Sequence, residues 1–104
     1  MPRAKFQTLT EQMFYILLCL RQECCGMDVM ERVKALTGGT VTVGPGTLYN
    51  LLEQFLEVGY IRETGASGRR RSYILTPVGR RALEEERARL AARVACFDSV
   101  FQEE

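Results

Sequence analysis

Residues 44–60, GPGTLYNLLEQFLEVGY, carry a backbone signal at each end. Proline at position 45 has no N–H to lose and a φ already set for helix, so it suits the first helical residue. Gly59 is a natural stop, because a helix commonly ends on a left-handed residue that glycine adopts without strain. Between them Leu48, Leu51, Leu52 and Phe55 recur at spacings of three and four, one apolar face of a helix over 45–58. The polar side is unusual. A helix that only braces a core would carry Glu, Lys and Ala there, whereas this one presents Gly46, Thr47, Tyr49 and Asn50.

The remaining elements follow in order. Thr8 with Glu11 has capping-box spacing, and Met13, Phe14, Ile16, Leu17, Leu18 and Leu20 predict a first helix that is apolar around most of its girth. The chain turns at Cys24, Cys25 and Gly26. Met27, Val29, Met30, Val33 and Leu36 then predict a second, amphipathic helix ending before Gly38 and Gly39. A short β-branched piece, 40–43, precedes the third helix. After it, 60–64 and 72–75 read as two strands flanking the turn GASGRRR, together a basic hairpin over 60–75. Thr76 and Pro77 are an N-cap and first-position proline for a long fourth helix reaching about residue 102.

Length and composition bound the class. At 104 residues the chain has room for one core, and 46% hydrophobic with 26% charged residues is the balance of an ordinary globular protein. The most apolar run, 13–20, is far below the ~18 residues of a membrane span. The start MPRAKFQTLTEQ is short and polar, so the expectation is a cytoplasmic protein without membrane contact. Four cysteines (Cys19, Cys24, Cys25, Cys96) without a signal peptide are expected to be free thiols. The net charge is only +1, but its distribution is uneven: residues 62–81 hold six arginines against the single acid Glu63.

Three helices followed by a basic two-stranded hairpin is the order of a winged helix-turn-helix, mainly α with a small β-hairpin, in which the third helix enters the DNA major groove. That placement gives the odd polar face a purpose. Gly46 lets the backbone approach, Thr47, Tyr49 and Asn50 hydrogen-bond, and the helix N-terminus favours a phosphate. The same stretch holds no Lys or Arg and carries Glu53 and Glu57, so base reading falls to uncharged groups. Glu53 reads as a solvated helix residue, with acceptance from a cytosine amine as the alternative. Arg69, Arg70 and Arg71 at the hairpin tip reach phosphates or a narrow minor groove and set much of the salt dependence. In the fourth helix Leu83, Leu90, Val94, Phe97 and Phe101 form a heptad seam with Arg87 at one core position. Beyond Leu90 a small domain has little surface to cover it, so Leu90, Val94, Phe97 and Phe101 are expected to pair with a second copy. The organisation expected is a DNA-binding unit over 1–76 and a dimerisation helix over 77–104.

The segments LTEQMFYILLCL, CGMDVMERV, VGPGTLYNLLEQFLEVGYI and GRRRSYILTPVGRRAL, together spanning residues 9–90, resemble the PadR-like transcriptional regulators, bacterial winged-helix proteins. PGTLY and YILTPVGR are the most specific pieces. The resemblance implies that Thr47 and Tyr49 help contact double-stranded DNA, that the wing arginines hold its backbone, and that the C-terminal helix makes a homodimer. It also implies repression, often of transport or detoxification genes. Some small members bind flat aromatic compounds between subunits, and here Phe14, Val94 and Phe97 are the residues expected to line such an effector site. Two departures stand out. Met27 follows Gly26 where a tyrosine is usual, and Gly44 stands where a serine cap is common.

Alternatives are a thiol-based sensor on the same fold, with Cys19, Cys24 and Cys25 as soft metal ligands or Cys24 and Cys25 as a redox pair, or a winged-helix protein-interaction module without DNA binding. Against the sensor stand the absence of any histidine and of a C-x-x-C pair. Neither a metal site nor a cofactor is expected. An enzyme is not expected either, since the commonest general base is missing and no nucleophile, phosphate loop or carboxylate pair stands out.

Overall fold

The structure is a computed structural model that describes residues 8–102 except residue 69. The elements run α1 (Glu11–Cys19), β1 (Cys24–Cys25), α2 (Gly26–Leu36), α3 (Pro45–Val58), β2 (Ile61–Ser67), β3 (Arg70–Leu75) and α4 (Pro77–Phe101). The three helices and basic hairpin expected from the sequence are present, with one strand more than expected.

α1 begins two residues later than its capping-box spacing predicts. Thr10, not Thr8, is the N-cap: its hydroxyl accepts the Met13 N–H at 3.2 Å while the Met13 sulfur accepts the Thr10 N–H at 3.4 Å. Glu11 therefore sits in the first turn, where a carboxylate meets the positive end of the helix dipole. α3 has the bounds that Pro45 and Gly59 predict, and Gly59 adopts the left-handed conformation, φ +80°.

The core lies where α1, α2 and α3 meet the hairpin. Ile16, Leu17 and Leu20 from the first helix and its cap, Val29 and Val33 from α2, and Leu48, Leu52 and Phe55 from α3 are almost wholly buried. The Phe55 and Tyr60 rings stack at 6.1 Å. Each such side chain contributes about 1.5–3 kcal/mol on leaving water.

The sheet is antiparallel, in the order β1-β3-β2. The additional strand β1 pairs Cys24 with Tyr73 and Cys25 with Ser72. It ties the wing to the start of α2, where a plain turn was expected. The hairpin strands are also longer than predicted. Gly65, Ala66 and Ser67 pair with Ser72, Arg71 and Arg70, past a bulge between Glu63 and Gly65. The reason is that backbone pairing, which glycine and serine tolerate, extends the ladder through residues whose side chains give no strand signal.

α4 is fastened at its N-terminus. The Leu75 N–H donates to the Leu20 carbonyl at 2.7 Å and the Thr76 N–H to the Tyr60 carbonyl at 3.0 Å, while the Thr76 hydroxyl donates to the Gly59 carbonyl and accepts the Gly79 N–H. Gly79 lies so close to Tyr60 that a Cβ there would meet the Tyr60 oxygen at 2.1 Å. One turn past Leu83, Glu86 is only 5% exposed; it accepts the Leu9 N–H at 2.9 Å and a hydrogen bond from Arg89. The Arg89 hydrogen bond, helped by the Leu9 N–H, holds its carboxyl below the usual carboxylate range against the opposing effect of burial. From residue 90 to residue 102 every side chain is exposed, so this half of α4 runs clear of the domain.

Candidate nucleic-acid interface

α3 divides cleanly by direction. With about 100° between successive residues, Leu48, Leu52 and Phe55 point into the core, and Gly46, Asn50, Glu53 and Glu57 form the stripe directly opposite, all exposed. Thr47 lies on one flank of that stripe and Tyr49 on the other. Gly46 meets nothing within 4 Å of where a Cβ would stand, so the backbone there is open to approach from outside.

The start of α3 is electrostatically free. Its N-cap, Gly44, offers no side-chain acceptor and no acid occupies the first turn. Leu48 is the first residue whose N–H finds a carbonyl in the helix, that of Gly44 at 2.9 Å. The exposed N–H groups of Gly46 and Thr47 therefore project from the positive end of the helix, an arrangement suited to a phosphate oxygen.

Tyr49 is 43% exposed, and its ring rests against the start of α2. A Cβ on Gly26 would come within 3.1 Å of that ring, so Gly26 is the residue that lets α2 and Tyr49 approach so closely. The ring forms one wall of a 420 Å³ cleft whose other walls come from Gly26 and Met27, from Glu53, and from Arg71 and Tyr73 of the wing. Met27, where the resemblance would place a tyrosine, is exposed at the mouth of that cleft.

The wing arginines do not act alike. Arg70 turns back toward the start of α2, donating to the Cys25 sulfur at 3.3 Å and lying 3.7 Å from the Asp28 carboxylate. Arg71 lies 3.6 Å from Glu63 on the neighbouring strand. Both pairs are long and open to solvent, so each contributes little to stability and leaves the guanidinium free to exchange partners. Arg69, the third of the run, lies outside the described residues.

Two of the four thiols, those of Cys19 and Cys24, are buried and poorly placed for ligation or redox chemistry. Burial pushes the Cys19 thiol up to about 11 and raises that of Cys24, which keeps both protonated and unreactive near neutral pH. Among the described residues no three Cys, Asp or Glu side chains gather as metal ligands.

The other residues singled out from sequence lie away from this face. Leu90, Val94, Phe97 and Phe101 are exposed along α4, and the Phe97 and Phe101 rings touch at 4.7 Å. Phe14 lines a 220 Å³ apolar cavity with Leu18, Leu75 and Leu83. Val94 is eleven residues past Leu83, roughly 16 Å along the helix, so one protomer does not bring Phe14 together with Val94 and Phe97. Sequence reasoning missed the Gly26 approach, the Gly79 approach and the Asp28 and Cys25 partners of Arg70. A glycine in the first turn of a helix, two residues past its opening proline, was the available signal for Gly79, since that position ordinarily takes a better helix former.

The comparisons with known proteins agree with this arrangement. The model of the transcriptional regulator PadR-like family matches residues 16–85. No individually curated protein matches the chain. Among solved structures, a transcriptional regulator from Clostridium thermocellum superposes with a TM-score of 0.73 at 19% identity, covering 85% of this chain and 87% of that one. RosR from H. salinarum is similar with a TM-score of 0.63 at 21% identity, covering 89% of this chain and 96% of its own. At those identities the superpositions speak for the fold. The family match, running from the middle of α1 through the wing into α4, speaks for the role: the chain belongs to the PadR-like family of transcriptional regulators, DNA-binding proteins and not enzymes.

Proposed function

We propose that this regulator is a sequence-specific, homodimeric and ligand-responsive repressor acting in the cytoplasm. α3 enters the major groove and the wing follows the backbone or the adjacent minor groove. The observation that carries the reading is the exposed outward stripe of α3 beside a basic wing, on a helix whose N-terminus carries no side-chain cap and no acid in its first turn. In this reading residues 1–76 hold DNA and 77–104 pair the protomers.

Dimerisation is supported by the far half of α4. Val94 and Phe97 are 62% and 61% exposed, and Leu90, Val100 and Phe101 extend the same apolar surface. The radius of gyration, 15.5 Å, exceeds the roughly 13 Å of a compact chain of this length because that half of the helix stands clear of the domain. An exposed apolar stripe of this kind calls for a partner, and a second α4 supplies the matching surface. A two-fold pair also places two recognition helices on two half-sites. A flat aromatic or apolar effector fits between the subunits, where Phe14 of one protomer and the Val94 and Phe97 region of the other can come together.

The test is DNA affinity as a function of salt for the wild type and for Arg70→Ala/Arg71→Ala, using a duplex enriched from random sequence. The variant should bind every sequence more weakly, with the slope of log K against log salt reduced by roughly 1 for each phosphate the protein no longer neutralises. An unchanged slope would remove the wing from the DNA and favour the protein-interaction alternative. Repression and response to effector are read in a reporter carrying the same duplex.

A further inference from the structure

The centre of the outward stripe of α3 holds an amide and a carboxylate one turn apart, Asn50 and Glu53. Glu53 is exposed and makes no hydrogen bond or ion pair with any described residue. Of the described wing arginines, Arg70 turns to Asp28 and Cys25 and Arg71 to Glu63, and neither makes an ion pair with Glu53 although both line the same cleft. α3 itself has no Lys or Arg to offset it. A carboxylate on a surface offered to DNA is repelled by phosphates, and a base amine that donates to it offsets that repulsion.

The major-groove edges narrow the choice of base. Guanine presents N7 and O6 and thymine presents O4, all acceptors that repel a carboxylate. Adenine offers its N6 amine, but beside N7, which opposes the second carboxylate oxygen. Cytosine offers its N4 amine with no acceptor at its major-groove side, so it alone presents an unopposed donor. Asn50 has the complementary preference, since an amide pairs in two places with adenine N6 and N7. Their backbone positions are about 4.5 Å apart along the helix, against about 3.4 Å for one base step, a difference that side chains of this length can bridge.

We propose that Glu53 is a specificity-determining residue that accepts a hydrogen bond from cytosine N4, in the base step next to an adenine read by Asn50. This rests on α3 lying in the major groove. Glu53 excludes guanine and thymine at its position, and its selectivity comes from repulsion as much as from the bond it makes.

The experiment is selection from random duplexes with the full-length wild type, Glu53→Ala and Glu53→Gln, read as a base preference at each position. The wild type should favour cytosine at one position by about tenfold over guanine or thymine. Glu53→Ala should bring that position to within about twofold among the bases. Glu53→Gln should move the preference there to adenine, leaving the rest of the motif in place. Melting temperatures of both variants should match the wild type, because the side chain makes no bond within the domain that it would give up. Two variants with the wild-type motif at every position, or a uniform gain in affinity for all duplexes, would overturn the proposal and leave Glu53 a solvated, repulsive side chain. If the wild type itself enriches no motif, the major-groove placement fails, and the proposal with it; an absent motif is distinct from an unchanged one.

Discussion

Gly79 lies where the chain leaving α3 meets the long helix α4, and replacing it with alanine tests that joint. The added Cβ would stand 2.1 Å from the Tyr60 oxygen, 2.9 Å from its carbon and 2.8 Å from a Leu75 methyl. Ordinary contact begins at 3.4 Å, so the Tyr60 carbonyl or the first turn of α4 must move by about 1.3 Å. The Leu75 methyl can rotate away. The carbonyl cannot do so freely, because the Thr76 N–H is already bonded to it at 3.0 Å and Gly59 is held by the Thr76 hydroxyl. Overpacking costs about 1–3 kcal/mol, and losing the Thr76 bond adds roughly 1 kcal/mol. The better helix propensity of alanine returns up to about 1 kcal/mol. The expected net loss is about 1–3 kcal/mol, which at about 4–8 °C per kcal/mol for a domain of this size lowers Tm by several degrees at least and by roughly 20 °C at most. The assay is thermal and urea unfolding at one fixed protein concentration, so that dimer mass action does not enter the comparison. A Gly79→Ala protein within about 0.5 kcal/mol of the wild type would refute the close approach. Gly46→Ala is the internal control, since the same substitution there meets open space.

Gly46→Ala should raise stability by about 0.5–1 kcal/mol and weaken DNA binding, because the methyl stands on the surface offered to the groove; equal or tighter binding would show that no backbone approach occurs there. Val94→Glu/Phe97→Glu should sediment as a monomer with the domain still folded, and a variant that stays wholly dimeric would place the pairing surface elsewhere. Glu86→Gln probes the Leu9 clasp through pH. Because the folded-state carboxyl of Glu86 is depressed, its contribution is complete above the unfolded value near 4.5 and is lost as pH falls through the lower folded value. The wild type should therefore exceed the variant in stability at neutral pH, with the gap closing below about pH 4.5; a gap independent of pH would mean that the carboxylate charge plays no part.

What was legible in the sequence is what local backbone chemistry decides. Pro45, Gly59, Thr76 and Pro77 mark helix ends by their own preferences, so α3 and the start of α4 fall where those residues predict. The two-residue strand β1 was not legible, because two residues have no period, and its existence depends on Tyr73 and Ser72 lying alongside. Glu86 looks in sequence like part of a solvated acidic run at 84–86. It is buried because its partner is the Leu9 N–H, 77 positions away in the chain. Gly26 was likewise invisible as a packing residue, and Gly79 showed only as a poor helix former near a helix start, since the atoms that forbid a side chain at either position belong to other elements. For the candidate site, the sequence named the side chains on α3 but not their directions. Tyr49 lies on a flank against Gly26, and Glu53, which in sequence reads as a solvated residue, lies beside Asn50 in the outward stripe.

The joint at Tyr60 also limits how a signal at α4 can reach DNA. The Tyr60 carbonyl follows directly on the C-cap of α3, and it receives the Thr76 N–H and packs on Gly79 at the start of α4. Bending between the two helices must break that bond and the Thr76 clasp on Gly59 together. Sliding one α4 against another breaks neither, because the exposed seam beyond Leu90 is separate from the joint. In the proposed dimer, a ligand in the seam would therefore change the spacing between the two copies of α3 more readily than the shape of either protomer. Spin labels on the exposed residues Glu57 of α3 and Ser99 of α4 would separate the alternatives. A ligand that shifts the distances between protomers and leaves the distance within each one unchanged fits a rigid joint, whereas a change within the protomer would show that the joint bends.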